Sequence, residues 1–432
     1  MAAAMRPFRV IVLAALGLAS TGPLGAQTLD SIEPFRMLRS LQFVQDSVVL
    51  GDHSAADMQR FMLETIDSRL RSSDASVFEE PRNVDAALIY AMSGGNPATL
   101  EFLVARDVDG NFDNRVTDAL RKYLSGKGTL IAKSLAEMVP EYRDQKIGPY
   151  LALVAGNVTI TRDPAAALKF YDWARLTAPG TIVEEAALRR SLSITLDTGM
   201  VEKGAAYSNR YARRFLHSPY ASQFADLFVR LVVDHFDKLD EQYILTTLSF
   251  MDEPRQREVY LRIARQAAIN GNTELARLGA SHAKALSGQV DDGMDALADL
   301  YGGVADVSTG SVEAAMQAIL DISDENLSPS DRALRTAAQA VAEEVLRLPV
   351  MESPTQADST TPVAVIPETA SDDPTAMTAA ERAAAPVPVA DKPAGTSEEG
   401  TANDPAFQSF VDTGRSKLEE IDKLLNEESA TR

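Results

Sequence analysis

The stretch DVDGNFDNRVTD, residues 107–118, has the clearest potential for chemistry in this chain. Side chains that could offer oxygen ligands to Ca²⁺ alternate along it and return at its twelfth place: Asp107, Asp109, Asn111, Asp113 and Asp118. A calcium loop needs glycine at its sixth place, where this chain has Phe112, and its usual final glutamate is missing. We therefore favour an acidic turn between two helices, with a calcium loop as the alternative.

The remaining residue types give no pattern of a catalytic or metal site. The chain contains no cysteine, which excludes a disulfide, a thiolate nucleophile and a zinc–thiolate site. No two of the four histidines are four residues apart, so a helical zinc site is not predicted, and we expect surface or interface positions for His53, His217, His235 and His282.

Two other chemical signals fail on closer inspection. SGKGT at 125–129 has Gly128 directly after Lys127, where a phosphate-binding loop needs serine or threonine, and Arg121 in the place of the loop's first glycine, so it is not such a loop. Adjacent carboxylates such as Glu79-Glu80, Glu184-Glu185 and Asp291-Asp292 are frequent in any chain this acidic. We predict no enzyme, no catalytic residues, no cofactor and no metal, and the sequence leaves the partner-binding residues unknown.

The overall charge excludes one class of partner. Lys and Arg number 42 against 62 Asp and Glu, a formal net charge of −20, and there is no long basic run. Nucleic-acid binding needs a basic patch or stripe, so we do not expect it.

Hydrophobic residues make up 45% but aromatic residues only 6%, a balance that favours closely packed helices.

Helical hairpins are predicted from about residue 35 to 348. MLRSLQFVQDSVVL is followed by Gly51-Asp52 and a second helical pattern, and REVYLRIARQAAI is followed by NGN at 270–272 and TELARLGASHAKAL. In each segment the apolar residues recur at steps of three and four, which is one face of a helix. Strand-like patterns are scarce, and GNVTITRD at 156–163 is the best β candidate.

The segment DPAAALKFYDWARLTAPG, 163–180, fits a degenerate tetratricopeptide (TPR) repeat. Asp163 and Pro164 begin a helix, and Tyr171 takes the place of the repeat's phenylalanine. Small residues such as Ala155 and Ala167 would let two helices approach. Trp173, the only tryptophan, is interpreted as a packing residue between repeats, with an exposed ligand platform as the alternative.

The same pattern returns at Tyr260–Ala283. Corresponding positions of the two units, such as Ala167 and Ala276, lie 109 residues apart, close to three repeats of about 36. Helices around 183–197, 203–216 and 219–235 fit the spacing but not the residue pattern. The predicted fold is therefore all-α, an irregular TPR-like helical-hairpin solenoid, followed by a disordered linker and a C-terminal amphipathic helix.

The two ends of the chain differ from this body. Residues 1–26 have two arginines, an apolar run and small residues up to Ala26, the pattern of a secretory signal peptide, with retention as an anchor as the alternative. A TPR-like repeat domain then covers 27–350. Residues 351–405 carry eight prolines and no aromatic residue, which predicts a disordered linker.

Residues 406–432 predict an amphipathic C-terminal helix, because apolar residues alternate at steps of four and three from Phe407 to Leu425. Such a helix must bury its apolar stripe. It could dock on the repeat domain, bind a partner or itself, or remain a partly formed isolated helix.

The stretch MLRSLQFVQDSVVLGDHSAADMQRF, 37–61, resembles the N-terminal part of the MotC family, periplasmic motility proteins of α-proteobacteria. The export signal, the cysteine-free helical body and the Pro/Ala-rich segment agree with that family. The resemblance implies a periplasmic accessory of the flagellar motor that is required for rotation and binds the periplasmic part of the stator protein MotB. It implies no catalytic residues.

Two other functions stay open at this point. One is an exported helical-repeat scaffold for cell-envelope protein assembly with no flagellar role, which composition and repeats alone would equally support. The other is a peptidoglycan lytic enzyme, some of which carry helical superhelices. That enzyme would need a separate catalytic domain, and the region after residue 350 is too short and too poor in apolar residues to form one.

Overall fold

The computed structural model describes residues 32–112, 114–286, 293–307 and 312–347, which are all-helical and contain no strand. Seventeen α-helices lie within these ranges: α1 Pro34–Val49, α2 Ala55–Ser72, α3 Pro81–Met92, α4 Pro97–Arg106, α5 Arg115–Leu124, α6 Ala132–Met138, α7 Gly148–Thr159, α8 Pro164–Thr177, α9 Ile182–Asp197, α10 Val201–Ala212, α11 Ala221–Asp234, α12 Glu241–Leu248, α13 Glu253–Ile269, α14 Thr273–Ala285, α15 Met294–Asp306, α16 Val312–Leu320 and α17 Pro329–Leu346. Short 3₁₀ turns lie between some of them, at Ala75–Glu79, Gly128–Leu130, Val139–Tyr142, Phe236–Lys238 and Asp324–Asn326.

Local sequence signals fix several of the helix ends where they were predicted. The side chain of Asp163 accepts a hydrogen bond from the amide of Ala166 at 2.9 Å and caps α8. Between α13 and α14, Gly271 has a positive φ of 75° that ends the first helix, and Asn272 caps the second. The NGN turn at 270–272 is thus confirmed.

From α7 onward most helices pack in consecutive pairs, namely α7 with α8, α9 with α10, α13 with α14 and α15 with α16, and each odd-numbered helix also contacts the next odd-numbered one. The short helix α12 contacts α10. Glycines let the paired helices approach closely. A Cβ atom built on Gly156 of α7 would lie 2.6 Å from the ring of Tyr171 on α8, and one on Gly279 of α14 would lie 2.8 Å from the carbonyl oxygen of Tyr260 on α13. The alanines predicted to allow close packing, Ala155 and Ala167, are fully buried.

Polar contacts of arginine bridge successive odd-numbered helices. The pairs run from α7 to α15: Arg190 with Asn157, Arg230 with Asp197, Arg262 with Asp226, and Arg257 with Asp295. Neighbouring helix pairs are therefore connected by polar contacts of arginine as well as by apolar contact.

The N-terminal helices do not simply continue the series of helix pairs, because α1 also contacts the middle of the chain. Gln42 donates to the hydroxyl of Tyr150 on α7 at 2.8 Å, and the carboxylate of Asp46 accepts from the amide of Ile182, the first residue of α9, at 2.9 Å. Gly51 follows α1 and packs so closely on His217 that a Cβ atom would lie 2.7 Å from the Cβ of that histidine.

The β candidate at 156–163 was wrong. Residues up to Thr159 belong to α7, and the rest form a turn before α8. Val158 and Thr159 are β-branched, but both are buried in the helix, so tertiary packing outweighs their local preference.

The helix predicted at 203–216 ends at Ala212, and the turn after it buries Phe215.

Some predictions fall on residues outside the described ranges: the signal peptide at 1–26, the linker at 351–405 and the C-terminal helix at 406–432. Where the structure does describe the chain, none of the helices combines the length and the apolar character that crossing a membrane requires.

Candidate functional site

The stretch at 107–118 forms the turn between α4 and α5. Both carboxylate oxygens of Asp107 accept hydrogen bonds from backbone amides, one from Asn111 at 2.9 Å and one from Phe112 at 2.6 Å. Phe112 is buried and packs edge-to-face on Phe78 with ring centroids 5.1 Å apart. The first of the candidate calcium ligands thus closes a turn around a core aromatic side chain, while Asp113 lies outside the described residues.

The histidines occupy surface and interface positions. His53 is exposed, His217 packs on Gly51 with its Nδ1 3.2 Å from an Arg255 nitrogen, and His282 stacks on Tyr260. Across the described ranges no three His, Cys, Asp or Glu side chains gather into a group that could hold a metal ion.

Trp173 is neither fully buried between repeats nor fully exposed as a ligand platform. The ring packs against the core but remains partly exposed, and the guanidinium of Arg143 lies over it at 5.6 Å from the ring centroid. Its indole Nε1 is buried and has no hydrogen-bond partner among the described residues. The neighbouring Tyr171 is fully buried and donates to Asn157 at 2.8 Å, so it is the main packing residue of this segment.

One pair of adjacent carboxylates, Glu184-Glu185, is buried on α9 and serves the packing. Glu185 accepts from Arg189 at 3.0 Å and from the hydroxyl of Tyr211 at 2.8 Å. Glu184 accepts from Arg214 at 2.5 Å. Charged hydrogen bonds of this kind stabilise buried carboxylates, and an acid–base role would need one of them free.

A second buried carboxylate, Asp331, connects three helices. It accepts from Arg265 of α13 at 3.0 Å, from the hydroxyl of Tyr301 of α15 at 3.0 Å and from Ser328 at 2.5 Å. Burial raises the pKa of Asp331, but hydrogen bonds from Ser328, Arg265 and Tyr301 outweigh it and bring the pKa below its ordinary value.

The most distinctive surface features are two open grooves. We call the first the α1–α2 groove. It is defined by the residues that line it: Phe35, Arg36, Arg39, Ser40, Phe43, Val44, Met58, Met62 and Arg82. It encloses about 830 Å³, and Phe43 at its edge is 73% exposed.

The second groove, the α14–α16 groove, encloses about 1120 Å³, and its lining includes the small residues Ala280, Gly302, Ala314 and Ala318. The lining also carries both signs of charge, and Lys284 pairs with Asp299 there at 2.6 Å. Small lining residues allow close approach of a helix backbone but do not select one.

Neither groove was predicted from the sequence. The apolar periodicity of α1 indicates one buried face, which contains Leu38, Leu41 and Val48. Phe43 and the two arginines Arg36 and Arg39 fall on another face of the same helix. A large aromatic residue outside the core stripe, next to basic residues, was the signal that could have marked this surface.

The described residues therefore define an all-helical protein whose buried carboxylates serve packing and whose open surfaces are grooves between helices. A sequence profile for the family "Chemotaxis protein MotC" matches residues 1–430. Chemotaxis protein MotC of Rhizobium meliloti (strain 1021) is 52% identical over 431 residues, covering 96% of this chain and 98% of that protein. This chain belongs to the chemotaxis protein MotC family.

Membership of the family supports a function related to chemotaxis and motility. The resemblance found at 37–61 is thereby confirmed for the chain as a whole. No solved structure matches this chain.

Proposed function

We propose that this protein is a periplasmic accessory of the flagellar motor, required for flagellar rotation, which acts by binding the periplasmic part of the stator protein MotB. The observation that carries the proposal is the 52% identity to a chemotaxis protein MotC across almost the whole of both chains. The protein acts by binding and performs no reaction of its own.

The proposed architecture is an irregular TPR-like solenoid. Four helix pairs between α7 and α16, contacts between successive odd-numbered helices, and glycines at the crossings support it. The odd-numbered helices begin at 148, 182, 221, 253, 294 and 329, steps near the length of a TPR repeat. Solenoids of this type present extended surfaces to protein partners, which is the physical basis of the proposed binding.

The proposed location is the periplasm. The signal-peptide pattern of residues 1–26 supports export, and the acidic charge of the chain disfavours contact with anionic lipid surfaces. Proton flow would then belong to the stator and not to this chain.

A clean deletion of the gene tests the motor function. Cells should assemble flagella of normal number and length that do not rotate, and the full gene in trans should restore swimming. Normal swimming of the deletion strain would refute the proposed function. Normal swimming together with a cell-envelope defect would favour an exported assembly scaffold instead.

Binding is tested by titrating the full chain with the purified periplasmic part of MotB from the same organism. Isothermal titration calorimetry should detect a saturable complex. The cytoplasmic part of the same stator protein is the control that should not bind.

A further inference from the structure

The α1–α2 groove concentrates large apolar side chains on the surface of a protein with few aromatic residues. Phe43 is 73% exposed, and Met58 on the facing helix is 50% exposed. Phe61, nearly one turn further along α2 and outside the lining of the groove, is 56% exposed. Contiguous exposed apolar side chains of this size typically mark binding surfaces, and methionine adapts its shape to a partner.

The spacing of these residues matches the dimensions of a helix. On α1 the groove is lined at positions 36, 39, 40, 43 and 44, and on α2 at positions 58 and 62, so both walls follow helical periodicity. Residues 36 to 43 alone span about 10 Å of helix length. A concave surface between two helices fits the apolar face of a third helix.

The charge of the groove is opposite to that of the whole chain. Its lining includes Arg36, Arg39 and Arg82 and no carboxylate, although the chain carries a net charge of −20. Within the described ranges Arg36 and Arg39 form no ion pair, whereas Arg82 pairs with Glu80 at 2.8 Å. Two cations are thus available to a ligand at the edge of an apolar surface.

We propose that the α1–α2 groove binds an amphipathic helix of a partner protein whose polar face is acidic. The apolar face of that helix covers Phe43 and Met58, and its carboxylates pair with Arg36 and Arg39. Aromatic and arginine side chains of this kind contribute most of the binding energy in protein interfaces. The inference rests on the proposed function only in taking the ligand to be a protein.

Other occupants fit the groove less well. A symmetric dimer through this surface would bring the arginines of both copies together, which is unfavourable. A lipid bilayer is flat and needs protruding apolar side chains, whereas the groove is concave, and the acidic chain around it repels anionic lipids.

The test uses the full chain and a synthetic, helix-stapled peptide of about 18 residues with leucine on one face and glutamate on the other. A second peptide with lysine in place of glutamate reports the charge preference. Affinities are measured by fluorescence anisotropy at low and high salt. The acidic peptide should bind more tightly than the basic one, and its affinity should fall as salt rises.

Two groove variants and two matched controls complete the design. Phe43→Glu should weaken binding of the acidic peptide about tenfold or more. Arg39→Glu should weaken it similarly and shift the preference towards the basic peptide. Leu176→Glu, at a residue 66% exposed on α8, and Arg162→Glu, at an exposed residue after α7, should leave the affinity unchanged.

The groove proposal fails if the acidic peptide does not bind, if both peptides bind equally, or if the controls weaken binding as much as the groove variants do. A wild-type dimer that Phe43→Glu disperses in light scattering would overturn it in favour of self-association. Binding to anionic vesicles that is lost in Phe43→Glu would overturn it in favour of a membrane surface.

The periplasmic part of MotB separates this inference from the proposed function. If that fragment binds wild type and Phe43→Glu equally well, the proposed function stands and the groove is not the interface. If the acidic peptide binds the groove but the fragment does not bind at all, the proposed function fails and the groove remains a helix-binding surface.

Discussion

Two glycines in neighbouring helices should respond oppositely to the same substitution. A Cβ atom on Gly279 of α14 would lie 2.8 Å from the carbonyl oxygen of Tyr260 and 3.0 Å from the Cβ of Ala264, both on α13. A Cβ atom on Gly302 of α15 would meet only the Cβ of Ala280, at an ordinary 3.5 Å. Gly279→Ala should therefore push two helices apart, and Gly302→Ala should fit.

The expected size of the effect follows from two contributions. Both glycines lie inside helices, so alanine gains roughly 0.5–1 kcal/mol of helix propensity at either position. At Gly279 the obstacle is backbone that cannot rotate away, and overpacking of this kind costs about 1–3 kcal/mol. Because the gain is common to both variants, Gly279→Ala should be less stable than Gly302→Ala by about 1–3 kcal/mol.

The assay is urea denaturation of the full chain, followed by circular dichroism at the helical minimum and repeated at several protein concentrations. Gly302→Ala should match or exceed the stability of wild type, and Gly279→Ala should unfold at lower urea. If Gly279→Ala is as stable as Gly302→Ala, the close approach of α13 and α14 is not a packing constraint and the argument from glycine at helix crossings is refuted.

Three further substitutions test the buried polar contacts and the tryptophan, each by urea titration. Asp331→Asn should lower the free energy of unfolding by about 2 kcal/mol at pH 7. The folded-state pKa of Asp331 lies below its ordinary value of 3.8. The loss of stability should therefore shrink as the pH falls from 3.8 through the lower folded-state pKa. Asp46→Ala should cost about 1 kcal/mol, whereas Asp46→Asn keeps an acceptor for the amide of Ile182 and should cost less. Trp173→Ala should cost about 2 kcal/mol, less than a fully buried ring would, because the side chain is partly exposed.

For each of these three substitutions, one experimental outcome would contradict the physical reason given. An effect of Asp331→Asn that stays constant from pH 7 to pH 3 would mean that the carboxylate is not held ionised by its donors. Equal losses for both Asp46 variants would show that charge, and not the acceptor oxygen, matters at α9. No change in Trp173→Ala would show that its ring contributes little to packing.

Local signals predicted much of the helical body. Gly271 and Asn272 lie where the sequence placed a turn, and Asp163 caps the helix it was expected to begin. These are short-range effects, in which one or two residues decide the backbone conformation. The same local reasoning misassigned Val158 and Thr159, because their burial in α7 depends on residues far along the chain.

The grooves on the surface could not be predicted from such local signals. Periodicity indicates that α1 has an apolar face, but it does not tell whether Phe43 is covered by another helix. That depends on how α2 and α3 are oriented against α1, which no local pattern encodes. The contact of Asp46 with Ile182 joins residues 136 apart, and the sequence around neither residue indicates it.

That long-range contact has a consequence for how the chain matures. The segment containing α1 is made early, yet its acceptor carboxylate and the amide it serves are separated by 136 residues of later synthesis. At common rates of translation this interval lasts about 7–27 s. During it the nascent N-terminal helices lack part of their native cover, so a ribosome-bound or translocating intermediate that stops before α9 should be more sensitive to proteases than the completed chain.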